Sequence, residues 1–477
     1  MLIFIENTPR DYAWGSLDAL PSLLGTAPTG EPQAELWLGD HPGAPASVAK
    51  ASPRAQTLIE LIESDPERYG VDGKHLPFLL KVLGIGAPLS LQVHPDKQQA
   101  LDGFAREQAA GVPLDARERN YGDDNHKPEL LVALGEVSAL CGFRSLDEAR
   151  ADVLALAAAA PEGPGRDALL QAAGLCVVGA GAAASGAVGA TNATAAAGGA
   201  FGDADQARSS YLNWALSGDE TVAAAVRALG AALERFDAGD GASDVDAATA
   251  ASAGVAATRR EALSKLLAAY PDDPGVLISL LLHLVTLQPG EAIYLAARQL
   301  HAYLDGIAVE VMAASDNVLR AGFTQKHVDV PEVLRVVDFA ELDSPLIEPE
   351  RLAPGLIAWA PEVPEFTLLR ARLGETEGDD ARDDDCAERV VVAAPYPMVL
   401  VVTSGRVRVE RVEPVGAEVD RAESADRAES ADLAGFAEVA SVGKGQSLYV
   451  SAGEDIELSG LADVFLATVG ASWPRVS

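Results

Sequence analysis

Cysteine and basic residues are both scarce in this chain. Its 477 residues include three cysteines, which are too few and too scattered for a disulfide framework or a thiolate metal site. Lysine and arginine number 36 against 71 aspartates and glutamates. The resulting formal charge of −35 argues against binding nucleic acid or an anionic membrane through overall charge. These absences favour a cytoplasmic protein in which an anionic substrate would need a local basic pocket.

Long hydrophobic runs are absent as well. The longest apolar stretch, residues 276–288, is interrupted by Ser279 and His283 and is too short to span a bilayer. The opening sequence MLIFIENTPRDYAW lacks the basic region of a secretory signal peptide, so no such peptide is expected. Hydrophobic residues nevertheless make up 48% of the chain, and 477 residues exceed what one core organises. We therefore expect two or three domains.

Short apolar runs bounded by glycine and proline indicate strands on both sides of an alanine-rich central region. Residues 145–270 have helical spacing, for example over 146–156 and 221–236, and a further helix is expected over 274–287. Strand patterns occur outside this region at residues 35–38, 78–83, 292–295, 303–306, 309–312, 397–410, 446–450 and 463–469. The chain is therefore predicted to be mainly β, with two jelly rolls and an inserted α-helical domain.

This pattern divides the chain into segments. They are a motif-bearing jelly roll in two parts at residues 1–144 and 283–330, a helical insertion at residues 145–282, and a C-terminal jelly roll at residues 331–477. Two stretches inside the insertion, residues 179–199 and 237–254, are rich in alanine, glycine and small polar residues and are predicted to be loops. A hexad repeat, RAESADRAESAD at residues 421–432, is predicted to be a solvated loop or short exposed helix without chemistry of its own.

Two short motifs carry the chemistry: PLSLQVHPDK at residues 88–97 and NHKPE at residues 125–129. Side chains alternate faces in an extended segment, so Ser90, Gln92 and His94 should share one polar face. The intervening apolar residues should then pack into the core. The two motifs together place metal-ligand and phosphate-binding side chains within about forty residues.

The first interpretation of these motifs is a metal site. Taken singly, each of these polar residues is better explained as a solvated strand residue or a satisfied histidine. Imidazoles and a carboxylate are, however, ordinary ligands for a divalent ion, and strands and loops can converge inside a barrel. The predicted ligands are Gln92, His94, Glu129 and His301, an N2O2 shell with room for water or substrate. Zinc is favoured, and the two oxygen ligands leave manganese and iron open.

Cationic residues accompany the candidate ligands, which is unusual in so acidic a chain. Any one of them is explained equally well by an ion pair with a surface carboxylate. As a group they suit a phosphate, which takes several charge-assisted donors, and the candidates are Ser90, Lys97, Arg320 and Lys326. His126 and Lys127 suit proton transfer, because a nearby cation can tune each toward neutral pH.

At these residues the chain resembles the type I phosphomannose isomerase family. NHKPE and SLQVHPDK in this order are highly specific, and supporting segments are YAWG at 12–15, ELWLGDH at 35–41, LPFLLKVL at 76–83, CGFR at 141–144 and QLHAYL at 299–304. The similarity is spread over most of the chain. Residues 145–275 and the C-terminal region resemble the family only in general layout, and Gln325 stands where proline is common before Lys326.

The resemblance implies a cupin-type barrel that binds one zinc ion through Gln92, His94, Glu129 and His301. It also implies a metal-dependent isomerase that interconverts mannose 6-phosphate and fructose 6-phosphate through an enediol. The catalytic candidates are then Arg320, His126, Lys127 and Asp316, and the phosphate-binding candidates are Ser90, Lys97 and Lys326. The only partner expected is the small sugar phosphate, with neither nucleic acid nor membrane, and the chain is expected to be a monomer.

Two other classes of function remain open at this point. A cupin that binds metal or sugar phosphate without catalysis would be expected to lose Arg320 or part of NHKPE, and this chain keeps both. A cupin oxygenase using iron would share the two histidines and the carboxylate, but the glutamine and the cluster of cations argue against it. Oxygen consumption by the purified protein would favour the oxygenase.

Overall fold

The computed structural model describes residues 1–49, 55–178, 203–237, 255–374, 386–412, 438–453 and 455–471. The loop predicted at 179–199 lies outside the described residues, as do the hexad repeat and, apart from its first residue, the loop predicted at 237–254. Among the helices that are described, none combines the length and the apolar character needed to cross a membrane.

Antiparallel strands dominate the described part of the chain. They are β1 (Leu2–Glu6), β2 (Glu35–Leu38), β3 (Ser47–Val48), β4 (Phe78–Ile85), β5 (Leu91–Val93), β6 (Glu129–Ala133), β7 (Val137–Phe143), β8 (Leu282–Leu287), β9 (Ala292–Leu295), β10 (His301–Ala313), β11 (Leu319–Gly322), β12 (Glu350–Ala353), β13 (Leu356–Trp359), β14 (Thr367–Leu373), β15 (Arg389–Val392), β16 (Met398–Val412), β17 (Val439–Gly443), β18 (Ser447–Val450) and β19 (Asp455–Thr468). Two sheets account for all of these strands.

The helices cluster mainly between β7 and β8. In chain order they are α1 (Ala19–Leu24), α2 (Leu58–Ser64), α3 (Pro66–Tyr69), α4 (Lys97–Ala109), α5 (Leu146–Ala159), α6 (Pro164–Leu175), α7 (Ala204–Ala215), α8 (Glu220–Asp237), α9 (Ala257–Ala269), α10 (Gly275–Ile278) and α11 (Val330–Val336). The core of α5 to α9 is continuous with Leu91 and Val93 of β5 and Leu319 of β11. The inserted helices therefore support the strands that carry the first motif.

The first sheet is organised around the long strand β10. Its order is β11-β5-β10-β4-β2. Strands β6 and β7 also pair with β10, β9 pairs with β6, and β8 pairs with β7. One half of β10 pairs with β4 and β6 and the other half with β5 and β7, so the strand takes part in two faces of a rolled sheet. Gly306 lies at the change-over with φ of 118°, where a Cβ atom would meet the carbonyl oxygen of Glu136 at 2.4 Å.

The second sheet has the order β12-β13-β14-β19-β16-β18-β1-β3. Its strand β1 comes from the start of the chain and pairs with β18, so the N-terminal residues belong to the sheet of the C-terminal half. The two sheets share a core in which Val82 and Val309 of the first sheet join Val399, Tyr449 and Phe465 of the second. The position of the second sheet relative to the site is therefore set by buried packing.

The structure confirms the predicted mainly β fold with two jelly-roll sheets and a helical insertion. The helix predicted over 274–287 is wrong: α10 ends at Ile278, a 3-10 turn follows at Ser279–Leu281, and the remainder forms β8. Pairing of β8 with β7 overrides the helical pattern, and the β-branched residues Val285 and Thr286 favour the extended form. His283 consequently lies on a strand, with its Nε2 atom 2.7 Å from the carbonyl oxygen of Leu342.

Candidate metal centre

Strand register brings three of the predicted site residues side by side. Strand β5 lies between β10 and β11, and its Gln92 is directly opposite His301 on one side and Arg320 on the other. Directly opposite residues in antiparallel strands project from the same face of the sheet. The flanking Leu91 and Val93 are fully buried in the helical core, as the predicted alternation requires. The face that carries Gln92 therefore also carries His301 and Arg320 and points away from the helical core.

His94, Glu129 and His301 converge on one point beside this face. Nε2 of His94 lies 3.3 Å from Oε1 of Glu129, and Nε2 of His301 lies 3.3 Å from Oε2 of the same carboxylate. One ligand atom from each residue lies within 4.8 Å of the others, and all three residues are at most 2% exposed. Ligand bonds of about 2.0–2.1 Å at a tetrahedral angle separate the ligand atoms by about 3.3 Å. The spacing therefore fits a small divalent ion.

Hydrogen bonds to backbone carbonyls orient both imidazole rings. Nδ1 of His94 lies 2.6 Å from the carbonyl oxygen of Asn317, and Nδ1 of His301 lies 3.0 Å from that of Gln299. A carbonyl oxygen only accepts, so each Nδ1 carries the hydrogen and each Nε2 keeps its lone pair. Neither Nε2 atom has a hydrogen-bond partner among the described residues, although both are buried. Buried polar atoms without partners are rare, and a metal ion would satisfy both.

The protonation states also suit metal binding. Burial, assisted by the charge of Lys127, lowers the pKa of His94 to about 4, so this imidazole is neutral at neutral pH. Burial alone would raise the pKa of Glu129, but Lys127 and His94 hold it well below its usual range. Metal ligands must be deprotonated, and these two are so without a metal.

A buried charge network extends from the cluster and was not predicted from the sequence. The hydroxyl of Tyr303 donates to Glu129 at 3.3 Å or Glu310 at 3.0 Å, and Nζ of Lys81 lies 3.2 Å from Glu310 and 3.8 Å from Glu35. With Lys127 included, three carboxylates face two ammonium groups in this interior. The excess negative charge favours a bound dication. A signal was present, because Lys81 and Glu310 are isolated charges in apolar strand runs.

The NHKPE segment sends its two basic residues to different partners. Nζ of Lys127 donates a hydrogen bond to Oε1 of Glu129. Nε2 of His126 lies 2.7 Å from Oε1 of Glu365, which belongs to the segment between β13 and β14 of the second sheet. The second sheet thus supplies a partner for a motif residue of the first. Glu365 belongs to no recognisable motif, so its contact with His126 could not be predicted from the sequence.

Arg320 and Lys326 are neighbouring cations, and Arg320 lies directly opposite Gln92. Burial lowers the pKa of Arg320, and the charge of Arg320 followed by burial lowers the pKa of Lys326. Arg320 makes one polar contact in the described part of the chain, a 3.4 Å hydrogen bond from Nη1 to the carbonyl oxygen of Val318. Within the described residues, neither side chain is within ion-pair distance of a carboxylate. Two unneutralised cations in so acidic a chain are a physical basis for binding an anion.

Three predicted site residues remain, Lys97, Ser90 and Asp316. Lys97 begins α4 and donates at 3.0 Å to both the carbonyl oxygen of Asp124 and Oδ1 of Asn125. Ser90 is half-buried just before β5. Asp316 is 60% exposed in its side chain, with Oδ1 3.4 Å from Nε2 of His41. Lys97 and Asp316 are therefore linked to neighbouring protein groups as well as being placed near solvent.

The jelly-roll sheet and its buried histidine-carboxylate cluster define a metal-binding enzyme of the cupin class. The family profile for phosphomannose isomerase type I, catalytic domain, matches residues 2–146. Mannose-6-phosphate isomerase of Escherichia coli (strain K12) is 37% identical over 346 residues, which cover 70% of this chain and 74% of the relative. The human enzyme of that name is 30% identical over 389 residues, covering 76% of this chain and 80% of the relative.

Solved structures give the same result. A zinc-bound mannose 6-phosphate isomerase has a TM-score of 0.73 and 27% identity, and the match covers 98% of this chain and 99% of that structure. A mutant phosphomannose isomerase from Salmonella typhimurium has a TM-score of 0.74 with the same identity and coverage. The chain belongs to the mannose-6-phosphate isomerase family. This confirms the resemblance found in the sequence and supports neither the non-catalytic cupin nor the oxygenase.

Proposed function

We propose that this protein interconverts mannose 6-phosphate and fructose 6-phosphate, and that Gln92, His94, Glu129 and His301 hold one zinc ion for the reaction. The observation that carries the proposal is the convergence of two unpartnered Nε2 atoms on the Glu129 carboxylate at 3.3 Å. Imidazole nitrogens with carboxylate and amide oxygens are ligands that zinc accepts. Gln92 completes the set because its strand position places it directly opposite His301.

The reaction moves a proton between C1 and C2 of the sugar and another between O1 and O2, through an enediol. Bound zinc would supply stabilisation of the negative charge that develops on the sugar oxygens. Arg320 adds positive charge on the same face of the sheet, opposite Gln92. Lys127 and Asp316 are proposed to exchange protons, which is supported by the contact of Lys127 with Glu129 and by the exposure of Asp316 to solvent.

His126 is a further proposed proton-transfer residue. Its Nε2 contact with Glu365 at 2.7 Å selects the tautomer in which Nε2 carries the hydrogen. Nδ1 then keeps the lone pair that can accept a proton. A carboxylate that holds a histidine in one tautomer is a recurring device in acid–base catalysis. Glu365 would thus contribute to the reaction through His126.

The phosphate group is proposed to bind at Arg320 and Lys326, with Ser90 and Lys97 as additional donors. The support is the pair of cations that no described carboxylate neutralises, since a phosphate dianion would relieve their mutual repulsion. Lys97 has three N–H donors, two of which donate to Asp124 and Asn125, so one is left for the phosphate. Phosphate contacts remote from C1 and C2 supply binding energy that positions the reacting carbons.

The division into domains remains part of the proposal, at residues 1–144 with 283–330, 145–282 and 331–477. Sheet membership supports it in outline, with β1 and β3 as the elements that cross from the first segment to the C-terminal sheet. We also propose that the protein acts as a cytoplasmic monomer with the sugar phosphate as its only partner. The low cysteine count and the charge of −35 support the cytoplasm and argue against nucleic acid.

Replacement of His301 tests the proposal. His301→Ala should lose both bound zinc and turnover of mannose 6-phosphate, because it removes one of two converging nitrogen ligands. His283→Ala is a matched control, since His283 lies on β8, which β7 separates from the strand of His301, and contacts the Leu342 carbonyl outside the cluster. Zinc content and turnover should be measured on the same samples. Full zinc content in His301→Ala would contradict the ligand set.

A further inference from the structure

Asn317 connects a metal ligand with the loop before NHKPE. It is 0% exposed, and its carbonyl oxygen accepts the 2.6 Å hydrogen bond from Nδ1 of His94. Its side chain serves the loop: Oδ1 accepts from the backbone N–H of Gly122 at 2.8 Å and of Asp123 at 3.3 Å. Nδ2 donates to the carbonyl oxygens of Asp123 at 2.9 Å and Asn125 at 2.7 Å. One buried residue thus contacts both the ring of His94 and the loop at residues 122–125.

Asp123 strengthens this connection from the loop side. Its Oδ1 accepts from the Ser315 hydroxyl at 2.9 Å and from the Asn125 backbone N–H at 2.8 Å. Its Oδ2 accepts from the Asp316 backbone N–H at 2.7 Å. The segments 122–125 and 315–317 are therefore linked in both directions. A network in which each buried polar group has partners holds its members rigidly.

The two imidazole ligands differ in how they are held. Nδ1 of His301 bonds the carbonyl of Gln299, two residues away on its own segment. Nδ1 of His94 instead bonds a carbonyl 223 residues away in the chain. The orientation of His301 is consequently local, whereas that of His94 depends on where Asn317 is held. Because Asn317 is held by Gly122, Asp123 and Asn125, the loop that leads to Glu129 and the ring of His94 share one anchor.

We propose that Asn317 is a positioning residue of the metal centre, which holds the His94 ring and the segment leading to Glu129 in one fixed relation. The proposal rests on the zinc site described above. Without the side chain, residue 317 loses five anchoring hydrogen bonds, including one from Nδ2 to Oδ1 of Asp123 at 3.3 Å, and its carbonyl shifts relative to His94. Outer partners of metal ligands typically affect metal affinity or activity about 10–100-fold.

The test compares Asn317→Ala with Asn120→Ala. Asn120 is a matched control, because it lies in the same loop and its side chain spans to Asp329 at 2.9 Å without contacting His94. The zinc dissociation constant is measured by competition with a chelator of known affinity, without substrate. Asn317→Ala should bind zinc about 10–100-fold more weakly, and the control should stay within about threefold of wild type. At saturating zinc, kcat of Asn317→Ala should fall about tenfold or more while KM changes less than about threefold.

Thermal unfolding of the metal-free proteins separates positioning from a merely structural role. Both variants should lower Tm, because each removes interactions that bridge two segments. If Asn317→Ala lowers Tm but binds zinc and turns over like Asn120→Ala, the proposal is overturned. If the alanine variant does not fold, Asn317→Asp is used, since it keeps the side-chain volume. It replaces the Nδ2 donor by a charged acceptor that faces the carbonyl oxygens of Asp123 and Asn125, and the same loss of zinc affinity is expected. Wild-type protein that binds no zinc would instead overturn the metal site itself.

Discussion

Lys81 is a buried charge outside the proposed metal ligands, and its replacement by methionine has a calculable cost. Its ammonium group is buried between two carboxylates, 3.2 Å from Glu310 and 3.8 Å from Glu35. Burial alone would lower the pKa of Lys81, but Glu35 and Glu310 raise it above its ordinary value. Lys81→Met keeps the approximate length of the side chain and leaves both carboxylates buried beside Glu129 without their cation.

The magnitude follows from distance and burial. At an effective dielectric constant of about 20, charges 3.2 Å and 3.8 Å apart attract by about 5 and 4 kcal/mol. The desolvation that the ammonium group no longer suffers offsets a large part of this sum, since it amounts to several kcal/mol per ion. Breaking a buried pair by removing one partner leaves a net loss of about 3–5 kcal/mol. We expect Lys81→Met to lower the free energy of unfolding by that amount.

Denaturant unfolding of metal-free protein at pH 7 measures this loss. Lys81→Met/Glu310→Gln should recover about 2 kcal/mol of it, because the second change removes one of the two unpaired charges. Lys265→Met is the control, since Lys265 pairs with Asp305 at a more exposed position and should cost less than about 1 kcal/mol. If Lys81→Met costs no more than Lys265→Met, or the double variant is the least stable, the buried-charge reasoning is refuted.

Three other perturbations test different contacts. Lys326→Ala should raise KM for mannose 6-phosphate about tenfold with kcat changed less than about threefold, and steady-state kinetics showing the reverse would contradict phosphate binding there. Glu365→Ala should lower kcat about tenfold or more at unchanged zinc content through loss of the His126 tautomer, so unaltered kcat would exclude that role. Burial would raise the pKa of Glu332, but hydrogen bonds from Arg335 and Tyr121 lower it to about 2. The ionised Glu332 therefore stabilises the fold by up to about 3 kcal/mol above pH 4.5, and this stabilisation is lost as the pH falls toward 2. The Glu332→Gln variant should lack this loss in acid unfolding. An acid-unfolding profile identical to that of the wild type would contradict the role of Glu332.

The convergence of His94, Glu129 and His301 could be anticipated because the motifs that carry the first two are local and highly specific. Alternation along β5 placed Gln92 on one face and Leu91 and Val93 on the other, and the burial of the two apolar residues agrees. The two strand regions with a helical insertion followed from the change in hydrophobic period along the chain. The contact between His94 and Asn317 was not predictable, because no short-range rule relates residues 223 positions apart.

Other features could not be predicted from the sequence, because they depend on long-range pairing. Lys81 and Glu310 are directly opposite on β4 and β10, and this pairing depends on a register that is set by the whole sheet. The segment that forms β8 has a helical pattern, but its hydrogen bonds with β7 decide the conformation. The assignment of β1 to the second sheet likewise reflects long-range pairing with β18.

The most direct test of the account is zinc content and mannose 6-phosphate turnover measured together on wild-type protein, before chelation, after chelation and after zinc is returned. The account predicts about one zinc per chain, loss of turnover when the metal is removed and recovery when it is restored. Full turnover in protein that has been stripped of metal would contradict it.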